Sequence, residues 1–323
     1  MSLVALLSNP LSTRNKDLLP RIRDIVASCP NLFHVELSDI NEIPDALKLI
    51  ASVKPAVIVI NGGDGTVQAA LTELYHARPF GDAMPPVAVL PNGKTNLIAA
   101  DLGASGDPLT ALRRILEIAR GDLAAHVVER RLIALSDGQG NRPVLGMFLG
   151  AAGLLNALLF CRNRIYPLGL SNKLSHFLAA VATLIGVIIG GKSRLSPVRS
   201  EPLKVTVRGV GTYEGRFFVL LVTTLEKLLL GVRPAKPAAK DSLKMICLEQ
   251  RRMSILRTAI SMLLLRSRKV EETPGLHLDG GSEILIEGRN PAVLLDGEIY
   301  KAAPGRPIVL TQTAPQPFLS LAA

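Results

Sequence analysis

Val57-Ile58-Val59-Ile60-Asn61-Gly62-Gly63-Asp64-Gly65-Thr66 carries a run of β-branched residues straight into three glycines wrapped around one aspartate. An apolar run this short, preceded by Pro55 and closed by glycines, reads as a buried parallel strand rather than a helix. From Thr66 to Ala77 the period becomes helical, with Val67, Ala70, Leu71 and Leu74 on one stripe. Strand, glycine turn and helix in that order form an anion site, because glycines let backbone N–H groups approach a phosphate and the helix presents its positive end. Asp64 inside the turn would repel a bare phosphate, so its presence calls for a metal ion or a hydroxyl that must lose its proton.

The segments around this stretch alternate in the same way. Leu3–Leu7 reads as a first strand, since it is too short and lacks the positive flank of a secretory signal. Asn9-Pro10-Leu11-Ser12-Thr13 is a polar turn before a helix from about Lys16 to Ser28. Phe33–Leu37 is a second strand, Pro44–Ser52 a helix, and Pro86–Leu90 a fourth strand that ends in a second polar turn, Pro91-Asn92-Gly93-Lys94-Thr95-Asn96. The fold class expected is α/β, with a doubly wound parallel sheet in residues 1–125 and a ligand at the strand C-termini.

After the amphipathic helix Pro108–Arg120 the character changes. Val127–Leu135 and Pro143–Leu149 flank Asp137-Gly138-Gln139-Gly140-Asn141, a hairpin signal, and Lys204–Arg208 with Tyr213–Val222 form another antiparallel pair. A β-rich, sandwich-like second domain is therefore expected over 126–308, with a tail of about 309–323 that can pack back on the first. Phe177–Gly191 is nearly continuous in apolar residues yet shorter than the roughly 20 a membrane span needs, so it is read as a packed helix, with a membrane-surface helix as the alternative. Gly186–Ser193 satisfies the P-loop pattern but ends an apolar helix-like run instead of linking a strand to a helix, and is taken as a chance match. Arg251–Arg268 reads as a basic helix.

Composition narrows the partners. The 323 residues carry a formal charge of +10, but residues 1–125 hold 11 Lys and Arg against 13 Asp and Glu, leaving 26 against 14 for the rest. A basic second half beside a near-neutral first half favours an anionic surface. With 4% aromatic residues and no tryptophan, stacking platforms for nucleic acid are not expected, so anionic lipid is the favoured partner. Three dispersed cysteines and five scattered histidines provide neither a disulfide framework nor a zinc spacing, and point to a reducing, cytoplasmic setting.

Gly62-Gly63-Asp64-Gly65-Thr66 resembles the signature of the diacylglycerol kinase, sphingosine kinase and NAD kinase superfamily. Leu90, Pro91, Gly93, Asn96 and Ala99 match the lipid-kinase block that follows the fourth strand, and Asp296-Gly297-Glu298 matches a late Asp-Gly-Glu signature of the same family. Gln68 and Ala69 stand where that family has Asn-Glu, Lys94 where it has threonine, and Leu97 where it usually has aspartate. The resemblance implies a lipid kinase using ATP and Mg2+, with a diacylglycerol-like acceptor. It implies nucleotide contacts from Asn9, Pro10, Gly62, Gly63, Asp64, Gly65, Thr66, Gly93, Lys94 and Asn96. It further implies a base among Glu298, Asp296 and Asp64, and magnesium contacts from Asp241 and the Leu243 carbonyl. The expected setting is the inner membrane face, with a lipid substrate and a homodimer as an open option. An NAD kinase-like enzyme and a catalytically impaired lipid-binding homologue are the alternatives.

Overall fold

The computed structural model describes residues 2–12, 14–93, 95–155, 201–226, 242–263 and 273–322. Lys94, Asp241, the apolar run Phe177–Gly191 and the P-loop match lie outside them. Among the described residues no helix is long and apolar enough to cross a membrane.

Five helices and a six-stranded sheet make the first layer system. Strands β1 (Val4–Ser8), β2 (Leu32–Glu36), β3 (Val57–Asn61) and β4 (Val87–Val89) pair in parallel in the order β2-β1-β3-β4. Between and after them run α1 (Asn15–Ser28), α2 (Ile43–Ser52), α3 (Asp64–Ala77), α4 (Leu97–Asp101) and α5 (Pro108–Arg120). Helices cover both faces, so β1 and β3 are buried at every position, which explains continuous apolar runs instead of alternation. Helix α3 buries Val67, Ala70, Leu71 and Leu74 as its period requires, and also Gln68 and Glu73, which periodicity assigns to no core.

Twelve of the other strands form two antiparallel six-stranded sheets packed face to face over a hydrophobic core that includes Leu149, Val205, Phe217, Leu220, Ile284 and Leu310. One sheet contains β6 (Ile133–Ser136), β7 (Val144–Gly146), β9 (Leu203–Val207), β10 (Gly211–Gly215), β14 (Glu283–Gly288) and β17 (Ile308–Gln312). The other contains β8 (Phe148–Ala151), β11 (Phe217–Thr223), β12 (Leu243–Glu249), β13 (Leu276–Gly281), β15 (Ala292–Leu295) and β16 (Glu298–Lys301). Helix α6 (Arg252–Leu263) follows β12.

Three segments that read as single strands are each divided between sheets, one of them Pro143–Leu149, whose residues fall in β7 and β8. Val127–Leu135 splits into β5 (Val127–Arg130), which joins the first sheet, and β6. At the crossing Leu132 N donates to Thr313 Oγ1 while Thr313 N donates to the Leu132 carbonyl, so the outgoing and returning chains pass side by side. The returning chain supplies β18 (Gln316–Leu319), which sits between β4 and β5 in the first sheet. Tyr213–Val222 likewise breaks at Gly215, whose φ of +148° turns β10 away from β11.

Candidate active site

The C-terminal ends of β1, β3 and β4 meet at one edge, and a buried amide cluster sets their spacing. Asn15 Nδ2 donates to the carbonyls of Asn9 (2.7 Å) and Asn61 (3.2 Å), joining the ends of β1 and β3. Asn92 Nδ2 donates to Asn61 Oδ1 at 2.8 Å and to Asn15 Oδ1, adding the end of β4. Asn61 in turn donates to Ser8 Oγ at 3.0 Å. Each amide has one orientation that avoids oxygen facing oxygen, so the three loop roots are locked together. Nothing in the sequence links Asn15, Asn61 and Asn92, because amides carry no periodic signal and their partners are distant in the chain.

The cleft between the two polar turns is lined by Gly62, Asp64 and Val67 on one side and by Leu90, Gly93, Asn96 and Ala99 on the other. The Asp64 carboxylate lies so close to Gly93 that a Cβ there would stand 2.5 Å from Oδ1 and push it aside. Both polar atoms of the Asn9 side chain are hydrogen-bonded within the fold. Its Nδ2 donates to Thr66 Oγ1 at 2.8 Å and its Oδ1 accepts from Leu11 N at 2.9 Å. Ser12 Oγ accepts from Gly63 N at 2.9 Å, pinning the polar turn that begins at Asn9 to the glycine turn. Asn96 sits in the left-handed region at φ 52° and accepts from Gly93 N at 2.7 Å, which closes its own turn. Pro10 is half-buried beside this junction.

The third motif reaches the same place from the second domain. Asp296 and Gly297 have φ of 46° and 100° and make the two-residue turn between β15 and β16, a hairpin geometry that Asp-Gly adopts readily. This turn lies against the first turn of α3. A Cβ on Gly297 would be 3.8 Å from Asp64 Cβ, and one on Gly65 would be 3.0 Å from Glu298 Oε1. Glu298 is exposed at the helix N-terminus, where a carboxylate is favoured by the dipole.

The two carboxylates of the motif face different surroundings. Asp296 is buried, and its two oxygens accept from Met147 N at 2.9 Å and Phe148 N at 3.0 Å, so the side chain clamps the turn to the β7–β8 segment. Burial pushes its carboxyl up from the ordinary 3.8 to about 7, the two amides pulling the other way and the Asp64 charge adding to the rise. The unfolded chain gives up this proton near 3.8, so from there to about 7 the folded state binds more protons and its stability falls as pH rises. Asp296→Asn should remove that slope and, by leaving one buried amide opposite an NH2 group, cost about 1–3 kcal/mol. Melting curves from acid to neutral pH check this. An identical slope in both proteins would show that Asp296 is not the group responsible.

Among the described residues no group of three or more His, Cys, Asp or Glu side chains is arranged to hold a metal ion. Leu243 is fully buried at the start of β12, and its expected partner Asp241 is outside the described residues. Asp64 is the carboxylate placed at the cleft wall.

The glycine turn lies at the switch point of a doubly wound domain, and a hairpin from the β-sandwich meets it there. Residues 4–125 match the family model of the diacylglycerol kinase catalytic domain, a match that supports a phosphotransferase. A candidate diacylglycerol kinase of Bacillus anthracis strain Sterne superposes with a TM-score of 0.65 at 19% identity, covering 97% of this chain and 92% of its own. A diacylglycerol kinase of the same strain gives 0.57 at 16% identity, covering 96% and 94%. Yeast NADH kinase complexed with NADH gives 0.50 at 11% identity, covering 99% and 84%. At these identities the likeness is one of fold. No curated protein matches the chain.

Proposed function

We propose that the chain is an ATP-dependent lipid kinase that transfers the γ-phosphoryl group to the hydroxyl of a diacylglycerol-like acceptor. The observation that supports this best is the approach of Glu298 to Gly65, which sets a carboxylate from the second domain beside the turn that would hold the phosphates. Glu298 takes the proton of the acceptor hydroxyl as its oxygen attacks the γ-phosphorus, and the bond to the β-phosphate oxygen breaks to release ADP. The backbone of Gly62–Gly65 and the N-terminal amides of α3 hold the phosphates. Asp64 would hold the magnesium ion that accompanies them and neutralises part of their charge. Asp296 fixes the turn that carries Glu298.

The excess of Lys and Arg after residue 125 supports work at an anionic membrane surface, the protein being peripheral at the cytoplasmic face. The test is transfer of labelled γ-phosphate from ATP to diacylglycerol, monoacylglycerol, sphingoid base, ceramide and NAD. The lipids are presented in neutral and anionic vesicles at low and high salt. Labelled diacylglycerol or a close relative is expected, with anionic vesicles favoured and the preference weakened by salt. Labelled NAD alone would replace the reading with an NAD kinase-like one. Nucleotide and vesicle binding without transfer would make the chain an impaired homologue.

A further inference from the structure

Gln68, which stands where the lipid kinases have asparagine, does not line the cleft. It is buried at 3% exposure on the face of α3 that meets the second domain. Its Nε2 donates to the Leu295 carbonyl at 2.9 Å, and its Oε1 accepts from the Tyr300 hydroxyl at 2.7 Å. Leu295 is the cross-strand partner of Glu298, and Tyr300 is two residues beyond Glu298 on the same strand. Residues two apart on a strand share a face, as do residues three apart on a helix. Glu298 therefore meets Gly65 while Tyr300 meets Gln68, one turn further along α3. Burial pushes the Tyr300 hydroxyl up to about 12, so it stays a neutral donor.

We propose that Gln68 is the positioning residue for Glu298, a tether from the helix that begins at the phosphate turn to both strands of the hairpin that carries the base. The inference rests on the lipid-kinase reading for its kinetic consequence only. The single side chain satisfies one strand as donor and the other as acceptor, so the hairpin cannot shift along α3 without breaking one of the two bonds. Other contacts dock the same helix on β7. Thr72 Oγ1 accepts from Leu145 N at 3.1 Å, His76 Nε2 meets the Pro143 carbonyl at 2.8 Å, and Glu73 pairs with Arg142. These keep the domains together when Gln68 is replaced, so its loss acts on the hairpin alone.

The experiment compares Gln68→Leu, Gln68→Glu and Tyr300→Phe with the unaltered full chain. In Gln68→Leu, amide hydrogens of residues 296–300 should exchange at least about tenfold faster, and kcat for lipid phosphorylation should fall about 10- to 100-fold, the range expected for a misplaced catalytic group. Affinity for magnesium and a non-hydrolysable ATP analogue should stay within about twofold, because nothing at the glycine turn changes. Tyr300→Phe should show a smaller change in the same direction. Gln68→Glu keeps the acceptor for Tyr300 but offers no proton to the Leu295 carbonyl when ionised, so its hairpin exchange should return toward the unaltered rate as pH falls and the carboxyl is protonated. Unchanged exchange at 296–300 in Gln68→Leu overturns the tether, as does a loss of nucleotide affinity equal to the loss of kcat. If the unaltered protein phosphorylates nothing in the lipid panel, the lipid-kinase reading fails, while hairpin exchange and its pH dependence in Gln68→Glu still decide the tether.

Discussion

Gly63→Val is expected to leave a folded protein that no longer holds nucleotide. Gly63 caps α3 with φ −75° and ψ 172°, values open to any residue, so no backbone strain opposes the change. A Cβ at this position would meet only Ser12 Oγ, at 3.8 Å, and the rest of the space around it is open. Helix capping by valine instead of glycine costs about 1 kcal/mol or less, which a domain with this much buried aliphatic surface tolerates. In the proposed complex the space ahead of the first turn of α3 is where phosphate oxygens approach the amides, and the branched side chain fills it. A loss of affinity of at least about 100-fold, near 2.7 kcal/mol, is expected for the magnesium complex of ATP, measured by calorimetric titration against an unaltered control. Normal affinity in a protein that melts normally would move the nucleotide away from this turn. Gly93→Ala offers no such clean test, because its Cβ would displace the Asp64 carboxylate.

Glu298→Gln should lower kcat by about 10²–10⁴-fold, the usual effect of removing a general base, with nucleotide affinity nearly unchanged. The carboxylate is exposed and no hydrogen bond to another described residue ties it into the fold, so the amide should replace it without disturbing the hairpin. Asp296→Asn differs on this point, since it withdraws an acceptor from Met147 or Phe148 and reduces stability together with activity. Rates on folded protein at saturating lipid, paired with melting temperatures, separate the two. Near-native kcat in Glu298→Gln would return the proton-transfer role to Asp64 or Asp296.

Much of the first domain could be read from the chain alone. Val57–Ile60 and Leu3–Leu7 are apolar at every position because both faces of a central parallel strand are covered, and α3 and α5 show their buried stripes in simple 3.6-residue spacing. The glycine turn at 62–65, the second turn at 91–96 and the Asp-Gly turn at 296–297 are local backbone demands, written in the residues that meet them. What those residues do not contain is the direction in which a side chain leaves its turn. Asp296 and Glu298 are two positions apart in one motif, yet only pairing of β15 with β8 turns the first onto buried amides and leaves the second at the helix end.

Tertiary structure alone also decided the division of strands between sheets. A period of two marks a half-buried strand whichever sheet it joins, so Val127–Leu135 looks continuous until Thr313, 181 residues later, meets Leu132 and the chain crosses over. Gln68 and the asparagines at 15, 61 and 92 belong to the same category. As residues in a sequence they are ordinary polar side chains, and they become determinants of the site because packing removes water from them and leaves each amide one set of partners.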